Sequence, residues 1–220
     1  MKALKIKSIC FAVYGILAIL LCGINLGFSQ NPPELFTTYE NKEIEISFQY
    51  PKSWIEAPRE VREEFSLAKE MSGKNLTENE KVMVETLPTV VFFLPDPIAP
   101  TALELVNYNF PSHITVEEIT TFENKVANSS GYTINIIEST NTSVSNKQII
   151  KEMFTLSGEK AGPAAGEYTS VSLLNGTNVI NITIGPYDIT RSWMVDMILQ
   201  SIKIDNNTTL MENDNRSARI

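Results

Sequence analysis

Beyond residue 29 the chain has no cysteine, since Cys10 and Cys22 both precede that point. No disulfide framework can support the body, whose roughly 190 residues must build, and are enough to build, an ordinary apolar core. Histidine is almost missing too, with His113 alone in 220 residues. A multi-histidine metal site is thereby excluded, and a serine–histidine–aspartate triad would have to pass through this one residue. Lysine and arginine form no cluster past the N-terminal tip, so nothing is available to neutralise a run of phosphates and nucleic-acid binding is excluded. Gly158, Gly162 and Gly166 mark a flexible loop without the Gly-Lys-Ser/Thr ending of a phosphate-binding loop. No nucleotide site is read there, and no cofactor is implied.

What is present begins with a contrast. Lys2, Lys5 and Lys7 form a positive tip, Ile9 to Phe28 is almost uniformly apolar, and Gly27-Phe28-Ser29 places small residues ahead of a cut before Gln30. Residues 1–29 are read as a secretory signal peptide. The apolar run also matches the roughly 20 residues of a membrane span, so an uncut N-terminal anchor is the alternative. Both readings put the body outside the cytoplasm, secreted or held at the outer membrane face. Cys22 is not read as a lipid attachment site, because Leu21 stands where such signals have a small residue. The leader holds three of the 18 Lys and Arg and none of the 26 Asp and Glu, so the body has 15 bases against 26 acids and a net charge of −11. Solubility in an external medium is the plain consequence.

Eight Asn-x-Ser/Thr sites begin at Asn75, Asn128, Asn141, Asn175, Asn181, Asn206, Asn207 and Asn215. Those that are used must be exposed, and their use implies an organism that glycosylates exported proteins, as archaea and eukaryotes commonly do. Asn181 falls within a strand-like run and needs a solvent-facing side.

Along the body, Ile44, Ile46, Phe48 and Tyr50 alternate with polar residues, the pattern of a half-buried strand, and Pro51 ends it. Residues 58–87 are charged and read as a helical insertion broken near Gly73, with Arg59 and Glu63 one turn apart. Thr89 to Leu94 and Ala102 to Phe110 are strands around the loop Asp96-Pro97-Ile98-Ala99-Pro100. Thr115 and Glu118 form a capping box, Ile114 and Ile119 a hydrophobic staple, and Gly131 a stop, which predicts a helix between them. Strand-like runs follow at Tyr132 to Glu138, Gln148 to Leu156, Glu167 to Leu174 and Asn178 to Ile184, the last two joined at Asn175-Gly176 as a type I′ hairpin. A closing helix starts near Asp188 as N-cap and carries Trp193, Met194, Met197 and Ile198. Residues 205–220 are polar and predicted to be a disordered tail. Residues 30–204 thus read as one α+β domain around a mostly antiparallel sheet, with an internal and a C-terminal helix.

The run Ile44-Glu45-Ile46-Ser47-Phe48-Gln49-Tyr50-Pro51-Lys52-Ser53-Trp54, a strand ending in Tyr-Pro-x-x-Trp, resembles the opening of PsbP-like domains. The following order is similar as well: a strand, a helix opening at Thr115, a meander with a Tyr/Thr-rich strand at Tyr168, and a closing helix from Trp193 to Ile204. The resemblance implies an α/β/α sandwich with a central antiparallel sheet. It also implies a non-catalytic role in docking to a protein complex or binding a protein or lipid partner, here in an exported prokaryotic, in particular archaeal, member. Nothing in the chain matches a photosystem-binding arm, and no family site residues transfer.

The residues themselves offer weak chemistry. His113 is read as an exposed turn residue, and Glu117 and Glu118 as carboxylates favoured by the helix N-terminus. Trp54 and Trp193 are read as core anchors, with an aromatic ligand floor formed by the two as the other use. The proline-stiffened loop holding Asp96 and Ile98 is the leading recognition element, because a preformed loop lowers the ordering cost of binding. Two functional classes follow. One is an exported binding or accessory module; the other is an exported hydrolase working through Glu43, Glu45 or Asp96, which would need those carboxylates to converge.

Overall fold

A computed structural model describes residues 35–63, 71, 73–95, 101–144, 147–158, 161–204 and 208–209. They form two compact units, one spanning 56–187 and one combining 35–55 with 188–209. The leader and its cleavage point lie outside the described residues, among which no helix is long and apolar enough to cross a membrane.

The larger unit is built on an antiparallel sheet in the order β3-β4-β5-β9-β8-β7-β6. Its strands are β3 (Ile55–Glu56), β4 (Val90–Phe93), β5 (Ala102–Asn109), β6 (Thr133–Val144), β7 (Lys147–Ser157), β8 (Gly166–Asn175) and β9 (Asn178–Tyr187). The expected strands are all found, and those from β6 to β9 run longer than their apolar cores, because hydrogen-bonded pairing carries on into polar residues such as Thr140↔Lys151. The hairpin between β8 and β9 differs in detail from the expected turn. Asn175 pairs with Asn178, so the loop is Gly176-Thr177, and Gly176 alone has a positive φ, +65°. Glycine at the first loop position is the type II′ arrangement, and it matches the twist of the strands as well as type I′ does.

Among the described residues, three α-helices belong to this unit. The charged insertion yields α1 (Arg59–Arg62) and α2 (Glu78–Glu85). Arg59 and Glu63 pair at 3.2 Å as their spacing predicted, and α2 begins at a capping box of Thr77 and Glu80. The helix α3 (Val116–Ser130) has the expected start and stop. The Glu118 amide donates to Thr115 Oγ1 at 3.3 Å, the Thr115 amide donates to Glu118 Oε2 at 2.8 Å, and Gly131 closes the helix with φ +79°. The apolar stripe of α3 is buried at Phe122 and Val126 against Phe110, Ile114, Ile150, Leu174 and Val179, with Met83 and Val84 of α2 in the same cluster. A fully buried side chain of this size contributes about 1.5–3 kcal/mol. A second cluster of Ala127, Tyr132, Leu156, Ala161 and Ala164 continues the packing past the end of α3.

The smaller unit has the strand order β1-β2-β10-β11, with β1 (Phe36–Asn41), β2 (Ile46–Pro51), β10 (Lys203–Ile204) and β11 (Thr208–Thr209). Its helix α4 (Ser192–Ser201) buries Met194, Val195, Ile198 and Leu199. The Gln49 amide donates to Ser201 Oγ at 2.7 Å, which ties the helix end to β2. Three expectations are corrected here. Ile44 and Glu45 belong to the turn before β2 rather than to the strand, because Asn41 Oδ1 accepts from the Glu43 and Ile44 amides and Glu45 is left-handed at φ +54°. Asp188 does not cap α4; it accepts from the Thr190 amide at 2.9 Å in a separate turn, and the helix starts four residues later. Where a structureless tail was expected, Thr208–Thr209 pairs with β10.

The sheet of the larger unit contains one position of exceptional closeness. A Cβ added to Gly185 would stand 2.2 Å from Cδ1 of Tyr168, whose ring is stacked on Phe154 at 5.3 Å and whose hydroxyl donates to the Ala164 carbonyl. The ring is fixed on two sides and cannot yield. Gly185→Ala is therefore expected to lower stability by about 1–3 kcal/mol, read as a shifted urea midpoint with unchanged slope, whereas an unshifted midpoint would show that the ring moves freely.

Candidate functional site

In β5, β9 and β8 the two faces of the sheet differ in kind. Leu103, Leu105, Ile180, Ile182, Ile184, Val171 and Leu173 share one face and are all buried. The face that carries α3 reads differently. Glu104 pairs with Thr183, Thr183 with Ser170, and Ser170 with Glu152, so one row across four adjacent strands is wholly polar. The next row holds Asn181 and Ser172 between the buried Val106 and Ile150, and the one beyond returns to Tyr108, Val179 and Leu174 under the helix.

The polar rows are internally ordered. Asn181 Nδ2 donates to Ser170 Oγ and Ser172 Oγ, each at 2.9 Å, and Thr183 Oγ1 donates to Asn181 Oδ1 at 2.9 Å. Glu152 accepts from Ser139 Oγ at 3.2 Å. Glu123, the residue after Phe122 on α3, is close enough to Glu152 and Tyr108 for their charges to interact. Glu104, Glu123 and Tyr108 are half-buried, and their partial removal from water disfavours the charged form of each. Burial pushes the Glu104 carboxyl up to about 7, and burial followed by the Glu152 charge does the same for Glu123. The Tyr108 hydroxyl is pushed up by burial, then by Glu104 and Glu123, so it stays protonated. Its ring is stacked on Phe110 at 5.6 Å.

The smaller unit has a surface of the opposite character. Trp193 and Met197, one helical turn apart on α4, are 51 % and 45 % exposed, and Ile189 in the turn before the helix is 81 % exposed. This corrects the reading of Trp193 as a core anchor: Met194, Val195, Ile198 and Leu199 already fill the buried side of α4, and Trp193 lies a full step around from them.

The residues singled out from sequence fare unevenly. Trp54 is buried, as a core anchor should be, and its indole N–H has no hydrogen-bond partner among the described residues. Asp96 and Ile98 lie outside the described residues. Glu43 and Glu45 are exposed turn residues and form no cleft, and His113 is exposed in its turn. Asn75, Asn128, Asn141 and Asn175 are exposed, Asn181 is engaged with Ser170 and Ser172, and Asn206, Asn207 and Asn215 lie outside the described residues. Glu104, Glu123 and Glu152 were missed. The available signal was Glu104 between Leu103 and Leu105, a carboxylate in the middle of a largely apolar strand.

No family model matches the chain, and no curated protein matches it. Solved structures do. The solution structure of cyanobacterial PsbP (CyanoP) from Synechocystis sp. PCC 6803 superposes with a TM-score of 0.52 at 12% identity, covering 83% of this chain and 99% of that one. The fold is PsbP-like. The Saccharomyces cerevisiae Ran-binding protein Mog1p, at TM-score 0.39 and 8% identity over 78% of this chain and 96% of its own, is a more distant likeness. The PsbP-like fold, mixed α+β around an antiparallel sheet, agrees with the architecture expected from the sequence.

Glu104 and Glu123 set a pH dependence whose sign follows from their raised values. Unfolded, Glu104 and Glu123 titrate near the ordinary value of about 4.3, whereas folded they titrate near 7. Between those values the folded state holds the extra protons, so stability is greatest below the window and falls as pH rises through it. Urea unfolding at about pH 5 and about pH 8 is expected to show this loss, and Glu104→Gln is expected to reduce it. A profile that is flat, or that rises with pH, contradicts the assignment.

Proposed function

We propose that the chain is a non-catalytic binding or accessory module that works outside the cytoplasm. Residues 1–29 deliver it, cleaved or retained as a tether, and it docks to a protein partner at the outer membrane face through the exposed side of α4. The observation that carries this reading is the pair Trp193 and Met197, two large apolar side chains left in water on one side of a helix whose other side is packed. Tryptophan and methionine are the residues that interface cores collect, and a tryptophan anchor can dominate binding energy. A lipid surface suits this face less well, since anionic headgroups repel a body of net charge −11. The likeness to PsbP supports the fold on which this reading stands. Exposed Asn75, Asn128, Asn141 and Asn175 are the proposed glycan sites, while a glycan on Asn181 would break its bonds to Ser170 and Ser172.

The hydrolase alternative loses its support at Glu43 and Glu45, which stand exposed in a turn. The docking reading is tested by crosslinking and co-purification of the full chain from its native membrane fraction. One defined protein is expected with the natural sequence, reduced about tenfold or more for Trp193→Ser and for Met197→Ser, with far-UV circular dichroism unchanged. Equal recovery by the folded variants, or retention by protein-free vesicles alone, contradicts it.

A further inference from the structure

The sheet of the larger unit ends on one side in a long strand with no further strand beyond it among the described residues. β6 is outermost in the strand order, and every residue from Asn135 to Ser143 is exposed. The opposite edge is the two-residue β3, short as protected edges are. A free edge offers a row of unpaired amides and carbonyls to any extended segment, and proteins blunt such rows with lysine, proline, bulges or a covering element. β6 has a bulge between Ile136 and Glu138, and beyond it the ladder with β7 runs unbroken to Val144. That stretch holds no lysine, arginine or proline, and Glu138 is its one charge. Ile136 and Ile137, 43 % and 50 % exposed, add apolar surface at its start. The same strand on a second copy is a ready partner, since antiparallel pairing of two β6 edges gives a closed two-fold contact.

The unprotected stretch coincides with a glycosylation sequon. Asn141-Thr142-Ser143 lies at its middle with all three residues exposed, and the Asn141 side chain has no hydrogen-bond partner among the described residues. A strand pairing with β6 would lie about 4.8 Å away, so a glycan on Asn141 stands across its path. We propose that an N-linked glycan on Asn141 is the edge cap of β6, and that the partner it excludes is the β6 of a second copy. The inference rests on the external location and glycan sites proposed above, and it gives one of those glycans a structural task. Asn175 differs in position: it stands at the tip of the β8–β9 hairpin, two strands in from the free edge, where a glycan blocks no pairing.

Glycopeptide mass spectrometry and sedimentation of the full chain, made in its own organism, test this. Asn141 is expected to be occupied and the natural chain to be monomeric. Asn141→Gln and Ser143→Ala each remove the sequon and are expected to roughly double the sedimenting mass. Asn141→Lys removes it too but places a charge on the edge, so this variant is expected to stay monomeric, as is Asn175→Gln, which leaves β6 untouched. Far-UV circular dichroism checks that each variant is folded, and either of the two uncharged β6 variants suffices. Labelling of intact cells with a membrane-impermeant reagent reports the external location separately. A chain that is labelled yet bare at Asn141 overturns the cap and leaves the location standing, whereas a chain that is not labelled overturns both. A natural chain that is already dimeric, folded Asn141→Gln and Ser143→Ala variants that stay monomeric, or an Asn141→Lys variant that associates as they do would each overturn the cap.

Discussion

The pairing of β5 with β9 and of β9 with β8 is the constraint on which the larger unit depends. Side chains alternate along a strand, so a register that sets Leu105 beside Ile182 and Val171 also sets Glu104 beside Thr183 and Ser170. A slip of one residue would exchange the two faces and bury the polar rows where isoleucine and leucine now stand. The apolar face fixes the register, and the polar face follows from it. Asn181 reinforces the same arrangement by bonding across to Ser170 and Ser172 of the neighbouring strand. The polar row is thus a by-product of the packing that stabilises the sheet, and its carboxyls, Glu104 and Glu152, are placed by strand backbone rather than by a loop.

The smaller unit shows the complementary arrangement. Its helix is short, and its four buried side chains fill one side completely. The Ser201 hydroxyl accepts from the Gln49 amide and donates to the Ile198 carbonyl, which fixes the end of the helix against β2. With the helix so oriented, Trp193 and Met197 cannot turn inward. A large apolar pair in water is a cost to the isolated chain that binding would remove.

Much of the fold was legible in the sequence because its signals are local. The capping box at Thr115 and Glu118, the stop at Gly131 and the alternation in β2 are written in adjacent residues, and each is found. The failures concern information that is not local. Asp188 satisfies the composition of an N-cap, but its carboxylate is already taken by Thr190. Trp193 has helical spacing with buried residues, but spacing alone does not say which flank of the stripe faces inward. The polar row was invisible for the same reason: Glu104, Thr183, Ser170 and Glu152 are scattered over some 80 residues of sequence and meet only through strand order. In contrast, the carboxylates that looked paired in sequence, Glu43 and Glu45, are separated from any cleft by the turn they occupy.

The central claim is that the sheet register holds the Glu104 carboxyl unpaired and partly removed from water on a polar row, and the most direct measurement is the titration of that carboxyl itself. In carbon-13-labelled protein, its resonance can be assigned by its loss in Glu104→Gln and followed by NMR from about pH 4 to about pH 9. The account predicts a midpoint near 7. A midpoint at the ordinary glutamate value of about 4.3 would mean that the carboxyl is solvated or already paired, and would contradict the account.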